Sequence, residues 1–140
     1  MNSLDIRNQL RAYKGFLGVF PCDAIPPLKP GQALIANTDP HDKPGQHWVA
    51  LYCSPEGFLE YFDSFGLPPM VVIRKYINKS KHSYFSCSSV QLQHEASETC
   101  GNHCIAFVKH RLMKQPFTSL LAHFTNSQRN NDIKVSAAIR

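Results

Sequence analysis

Two apolar runs, His47-Trp48-Val49-Ala50-Leu51-Tyr52-Cys53 and Gly57-Phe58-Leu59-Glu60-Tyr61-Phe62-Asp63, are separated by only Ser54-Pro55-Glu56. So short a connection, followed by a glycine, makes two extended segments an antiparallel hairpin. With position 55 at the turn centre, Cys53 faces Gly57 and His47 faces Asp63. Directly opposed residues of an antiparallel pair hold their Cβ atoms roughly 5 Å apart. The hairpin therefore predicts an imidazole beside a carboxylate at its open end, in a register that a bulge would shift by one.

The rest of the chain supplies layers for this hairpin. Residues 3–14 predict a short amphipathic helix with Ser3 as N-cap and Leu4, Ile6, Leu10 and Tyr13 as its apolar set. Gly15 to Phe20 reads as extended, and Pro21, Pro26, Pro27 and Pro30 make 21–31 a rigid loop. Gln32 to Asn37 reads as a short buried strand, and 38–46 as a polar loop of turn formers. After a turn at 64–69, residues 70–78 read as a helix, although Val71-Val72-Ile73 also allows a strand. Tyr84 to Leu92 alternates as a strand that delivers Gln93. A helix is expected from Thr99 to near Lys114, with Ile105, Val108 and Leu112 on one face and Pro116 as its stop. Phe117 to Phe124 predicts a shorter helix, and 126–140 is polar with few apolar anchors.

A length of 140 residues with 43% hydrophobic content predicts one domain, 1–140, with a proper core. No apolar run approaches the roughly 20 residues of a membrane helix. The first fifteen residues lack the apolar centre of a signal peptide. An intracellular, non-secreted protein is the expectation. The odd count of five cysteines argues against a disulfide framework. The net charge of +5 suggests non-specific affinity for polyanions such as DNA, with ordinary solvated basic faces as the alternative.

The chemistry concentrates in Gln93-His94-Glu95-Ala96-Ser97-Glu98-Thr99-Cys100-Gly101-Asn102-His103-Cys104. Cys100 falls where a loop runs into a helix. Unpaired N–H groups and the positive dipole end there favour thiolate, the nucleophilic form. Gly101 permits close approach of another backbone. A thiolate nucleophile needs a base, and His47 is the best placed of seven histidines because Asp63 can fix its tautomer. Taken alone, Asp63 also reads as a turn residue bonded to its own backbone. Gln93 could donate its amide N–H to an oxyanion, with the Cys100 N–H as second donor; such a donor is worth on the order of 3 kcal/mol. Cys100, His103 and Cys104 could instead hold zinc, but no Cys-x-x-Cys pair accompanies them. Cys104 is expected to pack inward, and Cys22, Cys53 and Cys87 to be buried small hydrophobes.

Several segments together resemble the adenovirus-type maturation proteases (adenain) and their relatives in adenovirus-like viruses, virophages and Polinton elements, in the clan of the ubiquitin-like-protein proteases. They are Phe16-Leu17-Gly18-Val19-Phe20, Gly45-Gln46-His47-Trp48-Val49-Ala50, Tyr61-Phe62-Asp63-Ser64-Phe65-Gly66, and Gln93 with Ser97, Cys100-Gly101 and Cys104. The resemblance covers roughly residues 15–110 and includes the order His, acid, Gln, Cys. It implies an α+β fold, papain-like in permuted chain order, with a central mixed sheet flanked by helices and the nucleophile at a helix N-terminus. It implies His47 as general base and acid, Asp63 as its orienter, Cys100 as nucleophile and Gln93 as the oxyanion side chain. The adenovirus enzymes often carry Glu where this chain has Asp63. The implied activity is that of a cysteine endopeptidase, a monomer that needs no cofactor for its chemistry. Its implied substrates are viral capsid or core precursors, cut after glycine in the host nucleus or cytoplasm and in the virion. Adenain is stimulated by DNA and by a disulfide-joined viral peptide; Cys87 lies in the region of the linking cysteine but out of register. The chain also ends soon after the helices at 99–124, so a C-terminal part of the adenovirus enzyme is expected to be missing. The alternatives are a deconjugating protease for a ubiquitin-like modifier and a non-catalytic descendant that binds DNA or a capsid protein.

Overall fold

A computed structural model describes residues 1–38, 47–80, 82 and 85–137, with 85–87 described as backbone. Residues 39–46 of the loop expected at 38–46, with Gly45 and Gln46, therefore lie outside the described residues, as do Tyr84 and the side chain of Cys87. The elements run α1 (Ser3–Leu10), β1 (Phe16–Pro21), β2 (Ala33–Asn37), β3 (Trp48–Cys53), β4 (Leu59–Phe62) and α2 (Val71–Lys79). They continue as β5 (Phe85–Cys87), α3 (Cys100–Leu112), α4 (Phe117–Leu121) and α5 (Gln128–Ala137). The strands lie side by side in chain order. β1 is parallel to β2, β2 to β4 are mutually antiparallel, and β5 is parallel to β4.

Period-2 alternation sorts the strand side chains between two cores. Ala33, Ile35, Ala50, Tyr52 and Phe62 join Ile6, Leu10, Cys104, Ile105 and Val108 on one face. Leu34, Ala36, Val49, Leu51, Cys53, Leu59 and Tyr61 join Ile73 and Ile77 of α2 on the other. β2 is buried throughout because both its faces are covered. Helix α3 is therefore held against the sheet by Cys104, Ile105 and Val108, spaced along one side of the helix. That packing sets the position of its first residue, Cys100.

The structure corrects several expectations. Helix α1 ends at Leu10, and its N-cap is Asn2, not Ser3; the Asn2 and Asp5 side chains each accept the other's backbone N–H. The 70–78 segment is helical, as α2. The hairpin turn is centred on Glu56, not Pro55. Gly57 N–H donates to Ser54 O, Ser54 N–H donates to Phe58 O, and Gly57 takes a φ of +88°. Gly57 thus completes the turn instead of starting the strand. Cys53 pairs with Leu59 and Ala50 with Phe62, two residues from the expected register. The expected strand from Tyr84 to Leu92 shrinks to β5: Ser88 N–H still donates to Tyr61 O, but the Asp63 N–H and carbonyl that would continue the ladder are taken by the Ser88 hydroxyl. The polar tail forms α5, whose buried residues are Asn131, Asp132 and Val135.

Candidate active site

His47 lies just before β3 and Asp63 just after β4, so both project from strand ends beside the start of α3. The two-residue register shift keeps them on one side of the hairpin, because the side-chain period is two. His47 Nε2 lies 2.8 Å from Asp63 Oδ1. Extending the observed register sets Phe65 opposite His47, and the two rings stack with centroids 5.0 Å apart. Asp63 is held in turn: its Oδ1 accepts from Phe65 N–H at 2.9 Å and its carbonyl from Gly66 N–H at 2.8 Å. Asp63 is thus both the turn residue and the partner of His47, two readings that the sequence set against each other.

Cys100 is the first residue of α3 and is 7% exposed. With Nε2 on Asp63, Nδ1 is the ring nitrogen left for the Cys100 thiol, which lines the same cleft. Burial pushes the thiol up. The hydrogen bond from His47, the backbone N–H of Trp48, the charge of His47 and the N–H of Gly101 outweigh it and hold Cys100 below its ordinary value. Burial likewise pulls His47 down, but hydrogen bonds to Asp63 and Cys100, and the charges of both, raise it to about 9. Cys104, one turn along and 0% exposed, is pushed well up by burial and by the charges of Cys100 and Asp63, and stays a thiol.

Gln93 is buried in the wall of the same cleft. Its Oε1 accepts from Ser64 Oγ at 2.5 Å, and its Nε2 donates to Ser97 O at 2.9 Å. Those bonds fix which amide atom is nitrogen and leave one Nε2 hydrogen. Gln93 N–H and Leu92 N–H both donate to Ser64 O, which ties the segment to the turn after Asp63. The cleft, about 590 Å³, is lined by His47, Gln93, Cys100, Trp48, Phe65 and Met1, among others. All four expected residues are therefore brought together.

Ser64 was missed, though it follows Asp63 directly and was quoted in the motif. Asp132, which accepts from Thr99 Oγ1 at 2.8 Å and from His103 Nε2 at 2.9 Å, was also missed. Nothing in a polar tail signals such a residue. His103 is thereby committed to Asp132, and among the described residues no group of His, Cys, Asp and Glu is placed to hold a metal ion.

Gly66 ties the turn to the Gln93 segment. Its φ is +72°, and a Cβ there would lie 2.8 Å from the Val90 carbonyl carbon. Gly66→Ala is expected to cost about 1–2 kcal/mol from backbone conformation alone, with a further loss as Val90 is displaced. Thermal unfolding measures it.

A SUMO-1 cysteine protease of African swine fever virus is 30% identical over 131 residues, covering 86% of this chain and 44% of that protein. The chain is similar to viral cysteine proteases. It spans less than half the length of the curated relatives it matches, 36% and 44% of two of them. A crystal structure of the African swine fever virus protease superposes with a TM-score of 0.67 at 15% identity, over 96% of this chain and 65% of that one. The central domain of an uncharacterised Legionella pneumophila protein superposes with a TM-score of 0.59 at 16% identity, over 100% and 93%. The fold is the α+β fold of the ubiquitin-like proteases. No protein-family model matches the chain.

Proposed function

We propose that this chain acts as a single-domain cysteine endopeptidase of the adenain type, cutting viral structural precursor proteins after glycine during virion maturation. The observation that carries the reading is His47, held through one nitrogen by Asp63 and sharing one cleft with Cys100 and with a spare Gln93 N–H. The Cys100 thiolate attacks the scissile carbonyl carbon and forms a C–S bond, and the carbonyl electron pair moves onto oxygen. The Gln93 Nε2–H and the Cys100 backbone N–H accept that charge. The intermediate collapses, the C–N bond breaks, and His47 gives its proton to the departing amine. His47 then takes a proton from water, which hydrolyses the thioester. The chemistry needs no cofactor, because nucleophile, base and oxyanion donors all belong to this chain.

The glycine preference rests on the resemblance to the adenain type. Beside the nucleophile, Gly101 is itself closely packed: a Cβ there would lie 2.9 Å from Met1 Sδ and 3.3 Å from Trp48 Cδ1.

Catalysis in this scheme needs Cys100 ionised and His47 protonated. The rate of turnover is expected to rise as Cys100 ionises below the ordinary thiol range and to fall as His47 loses its proton through about 9. Both limbs belong to the coupled pair. Because the folded His47 value is raised, its contribution to stability is full below the unfolded value of 6.5 and is lost as pH rises through about 9. A pH profile of kcat/KM beside thermal unfolding measures both.

The name of the African swine fever virus relative favours a second reading, a protease that removes a ubiquitin-like modifier. Turnover of short peptides with a Gly-Gly site, compared with that of a folded modifier conjugate, separates the two. Peptide cleavage at comparable kcat/KM supports maturation. Conjugates cut far faster sink it in favour of deconjugation, and no cleavage of either sinks both in favour of a binding descendant. The maturation reading carries with it a monomer acting in the host nucleus or cytoplasm and in the virion. The +5 charge supports non-specific contact with DNA, and activation by DNA or a viral peptide would appear in the same assay on adding either. No helix among the described residues is long and apolar enough to cross a membrane.

A further inference from the structure

We propose that Asp132 on α5 is a positioning residue of the active site, holding the Thr99 hydroxyl away from the start of α3 so that the Gly101 N–H serves the Cys100 sulfur. The inference rests on the protease reading in taking Cys100 as the nucleophile.

Thr99 occupies the N-cap position of α3. A threonine there ordinarily has an extended backbone and accepts, through its hydroxyl, the N–H of the second or third helical residue. Those residues are Gly101 and Asn102. Thr99 instead has φ −92° and ψ 14°, and its side chain caps nothing. Its hydroxyl donates to Asp132 Oδ1 at 2.8 Å and lies 3.1 Å from Ser97 Oγ. The Gly101 N–H, which a capping threonine would occupy, is thereby left to the neighbouring Cys100 sulfur, whose ionisation it favours. One donor thus has two candidate acceptors, and the position of Thr99 decides between them.

Asp132 is well placed to set that position. It is 8% exposed and also accepts from His103 Nε2 at 2.9 Å and, through Oδ2, from His94 N–H at 3.2 Å. It therefore grips the segment before Cys100 and the helical turn after it. His103 is neutral in this arrangement: burial lowers it, Nε2–H faces Asp132, and Nδ1 has no partner. The neighbouring Asn131 Nδ2 donates to Leu92 O at 3.2 Å, so α5 holds both ends of the 92–99 segment. The titratable groups facing Asp132 are His103 on α3 and Arg129 and His94 around one hollow; those around Cys100 are His47, Cys104 and, in the same cleft, Glu98.

The test is the pH profile of Cys100 alkylation by iodoacetamide in the full chain, with mass-spectrometric site mapping and thermal unfolding alongside. Asp132→Ala is expected to raise the midpoint by about one pH unit, the loss of one charge-assisted hydrogen bond to the thiolate. Adding Thr99→Val, which cannot cap, is expected to return the midpoint toward the parent. A general loosening of the fold would not be repaired by that second substitution. A folded Asp132→Ala with the parent midpoint overturns the inference, and so does a double variant that stays as shifted as the single one. Should Asp132→Ala not fold, Asp132→Asn keeps an acceptor oxygen and must still raise the midpoint by a smaller amount; no shift overturns the inference. A parent whose Cys100 titrates as an ordinary thiol defeats the protease reading itself. A lowered parent midpoint unmoved by Asp132→Ala defeats this inference alone.

Discussion

Replacing His47 with alanine is expected to lower kcat/KM by about 10³-fold or more and to return Cys100 to the behaviour of a free thiol, near about 8.5. Both effects have one cause. His47 lines the cleft of Cys100 and carries the positive charge that favours its ionisation, and the same proton must later reach the leaving amine. The fold is expected to survive. Asp63 keeps the Phe65 N–H on its carboxylate, and the lost ring, stacked on Phe65, is partly exposed. Alkylation against pH, steady-state kinetics and thermal unfolding measure these three quantities separately. If Cys100 stayed readily ionised without His47, the Trp48 and Gly101 N–H groups and the dipole of α3 would be sufficient by themselves, and His47 would be reduced to a proton donor.

Gln93→Ala is expected to divide kcat by about 10²–10³ while leaving KM and the alkylation profile near those of the parent. Alkylation by iodoacetamide passes through no oxyanion, so it reads the thiolate alone. Turnover of an amide passes through one twice. The substitution also strips Ser64 Oγ and Ser97 O of a buried partner, a loss of about 1–3 kcal/mol in stability for each group left unpaired. Activity is therefore to be measured well below the unfolding temperature of the variant. A parallel fall in alkylation would mean that Gln93 supports the Cys100 turn and does not act on the oxyanion.

The hairpin and the nucleophile helix were legible because both announce themselves through apolar periodicity: alternation over 47–63, and Ile105 and Val108 along one side of α3. His47, Asp63 and Cys100 were legible because each falls where such an element begins or ends, whereas the strand expected to deliver Gln93 stops short of it. The register was not. A pattern of alternation places residues on faces, but the pairing depends on whether Gly57 closes the turn or opens the strand, and its positive φ settles that. Helix α5 was illegible for the opposite reason. Its buried residues include Asn131 and Asp132, which earn their burial through hydrogen bonds to Leu92, Thr99 and His103. A search for apolar stripes passes over them. The shortening of β5 has the same origin, since the Ser88 hydroxyl takes the Asp63 backbone groups that would continue the ladder. Polar side chains that position catalytic groups carry no periodicity, so the supports of this site lay beyond sequence reading even where its principals did not.

His47 rides on the sheet, whereas Cys100 rides on the helix that packs across it. No covalent or local restraint joins them; 52 residues of chain lie between. Under the proposed function the nucleophile therefore exists only while α3 is seated, and the apolar contacts of Cys104, Ile105 and Val108 are indirectly contacts of the reaction. A small opening of that seam, far short of global unfolding, separates thiol from imidazole and leaves an unreactive cysteine. In mild urea, turnover should vanish before the far-ultraviolet signal of the helices changes. The site thus works as a built-in gauge of its own seam, silent whenever the two layers part.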